Sequence, residues 1–408
     1  MTMDKTEQLM ALDRRSFLAL GAAGALTLPF GLAGAGSAAA APAGGFDRWP
    51  GLKNPIVINA LGGISNPNLR LMERKKDADP KAILDDARRA IDDRALKEAL
   101  ESGLTAVNVT LGYVAGDMEP FEYTIAEIAR WDATIREKSD QLLKVLSAAD
   151  IRRAHAKRKV GVIYGFQNAA MMGDNAERAD IFANLGVRII QLTYNVRNQL
   201  GDGSMEAENR GLTPFGIEVV ERLNANRVIV DLSHSGERTC LDAIRHSKQP
   251  IAITHTGCRA LADLPRNKTD EELRGVAEKG GVVGIYFMPF LKVESRPTAD
   301  DVIAHIEHAV NVCGEDHVGI GTDGSVTQID DMELYQEALR EEVEARRKAG
   351  IGAKGERPDT YPFILDLRGP EQFRKLAHLL SKRGHKAARI EKILGGNFLR
   401  YMGDIWGA

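Results

Sequence analysis

From Pro55 onward the chain repeats one unit, a short β-branched apolar run followed by a longer amphipathic stretch. The runs are Ile56 to Ile58, Ala106 to Val109, Val160 to Ile163, Arg188 to Leu192, Val228 to Asp231, Ile251 to Ile253, Val282 to Ile285 and Val318 to Ile320. Strands that are apolar throughout are buried on both faces, which is the signature of a parallel sheet covered by helices. Helical patterns fill the intervals, as from Asp85 to Leu100, from Pro214 to Asn226, and from Asp300 to Val312 after Thr298 as a cap. Eight such units predict a (β/α)8 TIM barrel, and a doubly wound open sheet is the rival reading of the same periodicity.

Two segments depart from the repeat. The stretch from Asp331 to Lys348 is a highly charged helix, followed by a Gly- and Pro-containing loop to Pro370, so residues 327–369 read as an insertion over one rim. From Pro370 to Met402 the pattern gives two more helices, expected on the barrel exterior.

The N-terminal segment reads as an address. Asp13-Arg14-Arg15-Ser16-Phe17-Leu18 precedes an Ala- and Gly-rich apolar run and then a small-residue zone ending near Ala43. That order is a secretory signal, and the paired arginines resemble the twin-arginine export signal. A membrane helix is the competing reading, weakened by the Gly and Ala content and by Pro29. Residues 1–43 are therefore expected to be a signal peptide handled by the twin-arginine machinery. Residues 44–408 would then form one domain, periplasmic or secreted, without a stable membrane anchor. A net charge of -3 gives no basic face for nucleic acid. Three scattered cysteines make neither a disulfide framework nor a CxxC site. Nothing in the sequence decides against a homodimer.

In a barrel, chemistry collects where strands end, so the polar residues there carry the functional reading. The fifth run ends Asp231-Leu232-Ser233-His234, the sixth Thr254-His255, and the eighth Gly321-Thr322-Asp323. The third reaches Gln167, and the fourth Thr193-Tyr194-Asn195. Two imidazoles on neighbouring strands can share one borderline metal, with Asp231 fixing their tautomers from behind. Asp323 could move a proton, and the fork of Arg266 suits a substrate carboxylate.

These residues resemble the membrane (renal-type) dipeptidases, peptidase family M19, from about Pro55 to Arg400. The blocks that carry the resemblance are Val230 to His234, Thr254-His255 with Arg266-Asn267, Asp316 to Asp323, and Gly395 to Arg400. The resemblance implies an amidohydrolase-like barrel that cleaves dipeptides with two zinc ions. It places His234 and His255 on ligands of the second zinc, Arg266 on the carboxylate clamp, and Asp323 on the proton relay. The chain departs from the family at the other ligands. The His-x-Asp pair of the first strand reads Leu61-Gly62-Gly63, the bridging glutamate falls on Gln167, and the histidine that polarises the scissile carbonyl falls on Tyr194. At most one Zn2+ is then expected, or none, with Tyr194 donating to the oxyanion. The spacing around these changes is intact, as in exported dipeptidase-like proteins tied to peptide-siderophore maturation. Two functions are expected to compete: an exported metal-dependent hydrolase of a dipeptide or small amide, and a catalytically altered barrel that binds or matures a peptide.

Overall fold

The computed structural model describes residues 48–72, 91–116, 118–348, 350 and 352–407. The expected signal peptide, and the start of the helical pattern at Asp85, lie outside the described residues. A strand forms at each of the eight apolar runs, although the first strand takes in only Ile58, the last residue of its run. In chain order the strands are β1 (Ile58–Gly63), β2 (Ala106–Thr110), β3 (Leu142–Lys144), β4 (Val160–Phe166), β5 (Val187–Gln191), β6 (Ile229–Asp231), β7 (Ala252–Thr256), β8 (Val282–Ile285), β9 (Val318–Ile320) and β10 (Gly324–Ser325). The two additions are β3, a three-residue strand beside the start of β4, and β10, a two-residue continuation of β9.

Every pairing is parallel, in the order β10-β1-β2-β4-β5-β6-β7-β8-β9. Only Gly321 to Asp323 separate β9 from β10, so the two ends of this path are one stretch of chain and the sheet curls back on itself. Hydrogen bonds seal the seam. The Asp323 amide donates to Leu61 O at 2.9 Å. Asn59 donates through Nδ2 to Thr322 Oγ1 at 2.8 Å and accepts from the Thr322 amide at 2.8 Å. The seam also needs a glycine, because a Cβ on Gly321 would lie 2.0 Å from the Thr254 carbonyl oxygen.

Helices begin where the sequence supplies caps. Thr213 accepts from the Gly216 amide to open 214–225, with Pro214 at the first position. Thr298 and Asp301 form a reciprocal capping box ahead of 299–313, as Thr269 and Glu272 do ahead of 270–278.

The C-terminal helices are present on the exterior, and helix Asn397–Trp406 takes one end of the barrel. It closes the foot. Phe398 packs against Gly319 of β9, Gly403 faces Ala148, and the Tyr401 hydroxyl donates to Pro250 O, just before β7. Phe398, Met402 and Ile405 share a core with Ile58, Ala106, Ile163, Ile189, Ile229, Ala252 and Val282, one residue from each of seven strands. Each of the three buried side chains is worth about 1.5–3 kcal/mol, so the foot is an apolar plug and the chemistry is left to the other end. At that end lies the insertion. Helix Met332–Lys348 buries Leu339 and Val343, and Arg94 holds Asp330, just ahead of it, through two hydrogen bonds of 2.6 and 2.7 Å.

Candidate active site

The ends of β6 and β7 build the centre. Asp231, buried at the end of β6, accepts from the Ser233 amide (3.1 Å), Ser233 Oγ (2.6 Å), the Thr254 amide (2.9 Å) and Thr254 Oγ1 (2.6 Å). Burial pushes its carboxyl upward against these four donors. Thr254 gives its single hydroxyl proton to Asp231, so its oxygen accepts the bond to His255 Nδ1 at 3.0 Å. His255 therefore carries its proton on Nδ1. Its Nε2, buried and without a partner among the described residues, presents a lone pair.

His234 is fixed by the same logic. Arg266 Nη2 stands 3.0 Å from His234 Nε2, and a guanidinium can only donate. The His234 proton is thus on Nδ1, donated to Asn195 Oδ1 at 2.7 Å. The two rings lie 5.0 Å apart, and Tyr194 stacks on His234 at 4.2 Å. Burial, then the nearby guanidinium of Arg266, hold both imidazoles well below their ordinary range.

Arg266 is 1% exposed, and its Nη1 donates to Ser233 O at 2.6 Å. Behind it, Lys268 is buried with Glu272 at 3.2 Å and Cys240 Sγ at 3.0 Å, and bonds Ser235 O at 2.5 Å. Asp323 occupies a left-handed backbone position (φ 59°) between β9 and β10 and is half-buried. Burial pushes its carboxyl up to about 6, against the pull of Arg266 and Arg346. Of these groups Arg346 is the one that sequence reading misses. It comes from the charged helix of the insertion, hydrogen-bonds Tyr194, and pairs with Glu356 at 2.9 Å. A charged helix reads as solvated, and no local pattern marks one of its arginines as inward.

The structure thus brings His234, His255, Arg266, Tyr194 and Asp323 together. Leu61 is a buried residue of β1, Gly63 pairs with Ser325 across the seam, and Gln167 follows β4 and donates to Thr110 Oγ1 at 2.6 Å. Among the described residues no group of three or more His, Cys, Asp or Glu is placed to hold a metal ion. A catalytic zinc takes three protein ligands, and here one of two imidazole lone pairs is already bonded to a cation. This donor set does not fit the binuclear metal centre.

The fold defines a (β/α)8 barrel with its polar groups gathered at one mouth. The chain belongs to the membrane dipeptidase family, peptidase family M19, whose model matches residues 90–349. It is 32% identical to an amidohydrolase of Pseudomonas aeruginosa whose crystal structure covers 87% of this chain and 98% of its own, with a TM-score of 0.70. It is 27% identical to the dipeptidase tcpJ of Claviceps purpurea over 65% of this chain and 56% of that protein. The crystal structure of the probable dipeptidase PvdM of Pseudomonas aeruginosa, 21% identical, shares the fold with a TM-score of 0.64 over 86% of this chain and 96% of that one. The family makes the protein a peptidase-type hydrolase and implies metal dependence, which the donors of this barrel do not match.

Proposed function

We propose that the barrel mouth takes a dipeptide or a related small amide, with its carboxylate drawn to the guanidinia of Arg266 and Arg346 and its amide bond beside Asp323. The observation that carries this reading is the placement of a half-buried carboxyl, Asp323 at the turn between β9 and β10, in the field of Arg266 and Arg346, with burial pushing that carboxyl up to about 6. Above that value Asp323 is ionised, so it can take a proton from the attacking water and pass it to the leaving nitrogen. The C–N bond breaks, the carbon gains the water oxygen, and an acid and an amine leave. Tyr194, hydrogen-bonded to Arg346, donates to the oxyanion that develops on the amide oxygen. His234 and His255 lack the third donor that a catalytic zinc needs, and none of these steps runs through a metal.

A carboxylate held by a guanidinium is worth about 1.5–3 kcal/mol, roughly tenfold to a hundredfold in affinity. Calorimetric titration of alanylalanine in each stereochemistry, against its C-terminal amide, should therefore show the carboxylate form preferred by that factor. Equal affinities would overturn the reading. The second function, a periplasmic factor that binds or matures a peptide siderophore without hydrolysing it, is favoured by Leu61 and Gly63, which remove the donors of the first strand. Carboxylate-dependent binding with no turnover would select it. We place either activity outside the cytoplasm on the strength of Arg14-Arg15 and the apolar run after them.

A further inference from the structure

The contact between Arg266 and His234 bears on the metal itself. In a zinc site the metal accepts the lone pair of an imidazole nitrogen at about 2.0–2.1 Å. Here the Nε2 lone pair of His234 is taken by Arg266 Nη2 at 3.0 Å. The guanidinium is not a loose side chain that has drifted into a gap. It is 1% exposed, its other terminal nitrogen donates to Ser233 O at 2.6 Å, and it lies over the ring of Tyr286 at 5.9 Å. The Tyr286 hydroxyl is tied in turn to Asn267, the next residue along the chain. The backbone is anchored as well, since the Arg266 carbonyl accepts from Thr256 Oγ1 at 3.2 Å. A guanidinium stays protonated at any working pH, so a divalent ion at His234 would have to displace this clamp or sit against a permanent positive charge.

We infer that Arg266 is the resident cation of this barrel, standing at His234 where the family carries a metal, and that it closes the two-histidine centre to divalent ions. The inference rests on side-chain contacts alone and holds whichever ligand the mouth takes. The substitutions at the other ligands fit it. With Leu61 in place of a neutral imidazole donor, and Gly63 and Gln167 in place of carboxylates, the centre has lost the two anions that would offset metal charge, and a single fixed cation is what the remaining groups accommodate.

The test is whether removing the guanidinium opens a metal site. The exported chain, dialysed against chelator and then freed of it, is titrated with Co2+, whose visible absorption reports ligation by imidazole. The wild type should show no stoichiometric ligand-field band, while Arg266→Met should bind Co2+ at least tenfold more tightly. Adding His255→Ala to that variant should abolish the gain. A stoichiometric Co2+ band in the wild type would overturn the inference, and so would a folded Arg266→Met chain with no gain in affinity. Should Arg266→Met fail to fold, the wild type itself decides through the ring 15N resonances of His234. They should be unmoved by Zn2+, and a zinc-dependent shift would overturn the assignment.

Discussion

At the scale of the residue, the site turns on how protons are allotted around two imidazoles and one carboxyl. Asp231 reaches the His255 ring through Thr254, and Arg266 sets the tautomer of His234 because it has nothing but protons to offer. Asp323 answers to a different balance, in which burial outweighs two guanidinia and leaves its carboxyl at about 6. In the proposed role of base, it works only when ionised. The rate of amide hydrolysis should therefore rise as pH increases through about 6 and then level off, and Asp323→Asn should remove both the rise and nearly all turnover. A wild-type profile flat from pH 5 to 8 would take the base role away from Asp323. The types and order of these residues are legible in the sequence, whereas their couplings are not. That Arg266, thirty-two positions from His234, bonds its ring is a fact of packing.

At the scale of the element, local pattern proves a reliable guide to what forms and a weaker one to where it goes. A strand forms at each of the eight β-branched runs, and the threonines at 213 and 298 open helices, because burial on both faces and end-capping are settled within a few residues. Strand β3 is missed because three residues carry no period. The C-terminal helices are expected outside the barrel with no end or side named, because an apolar face suits a flank as well as a foot. The loop between β5 and helix 214–225 shows how an element without a period can still be exacting. Its Ser204 amide donates to His234 O at 2.7 Å, and its Met205 amide to Asn195 O at 2.8 Å. A Cβ on Gly203 would lie 2.2 Å from Tyr194 O and 2.4 Å from Asn195 O. Gly203→Ala should thus force the loop off the very residues that stack on and orient His234. The expected cost is about 1–3 kcal/mol, read by urea unfolding, together with weaker ligand binding. Unchanged stability would show that the loop yields without moving Tyr194.

At the scale of the whole molecule, the barrel is closed at the foot by helix 397–406, while the insertion brings Arg346 to the opposite mouth. The proposed export concerns the same whole, since a twin-arginine signal is read by a receptor and is separate from the fold. Arg14→Lys combined with Arg15→Lys should leave a folded chain in the cytoplasm. Normal periplasmic yield of the double variant would remove the basis for that localisation. The sequence by itself determined the repeating strand and helix unit, the polar residues at the strand ends and the family they resemble, while closure of the sheet against the open-sheet alternative came from the seam between β1 and β10. The unit, the polar residues and the family are written in short-range periodicity or in blocks of contiguous residues. Only the tertiary structure decided that an arginine from a charged helix reaches Tyr194, that Arg266 meets His234 at the nitrogen a metal would use, and that the last helix plugs the barrel. A sequence pattern states which face of an element avoids water, but which distant side chain arrives at that face depends on how the closed sheet and its long connections bring the chain together in space.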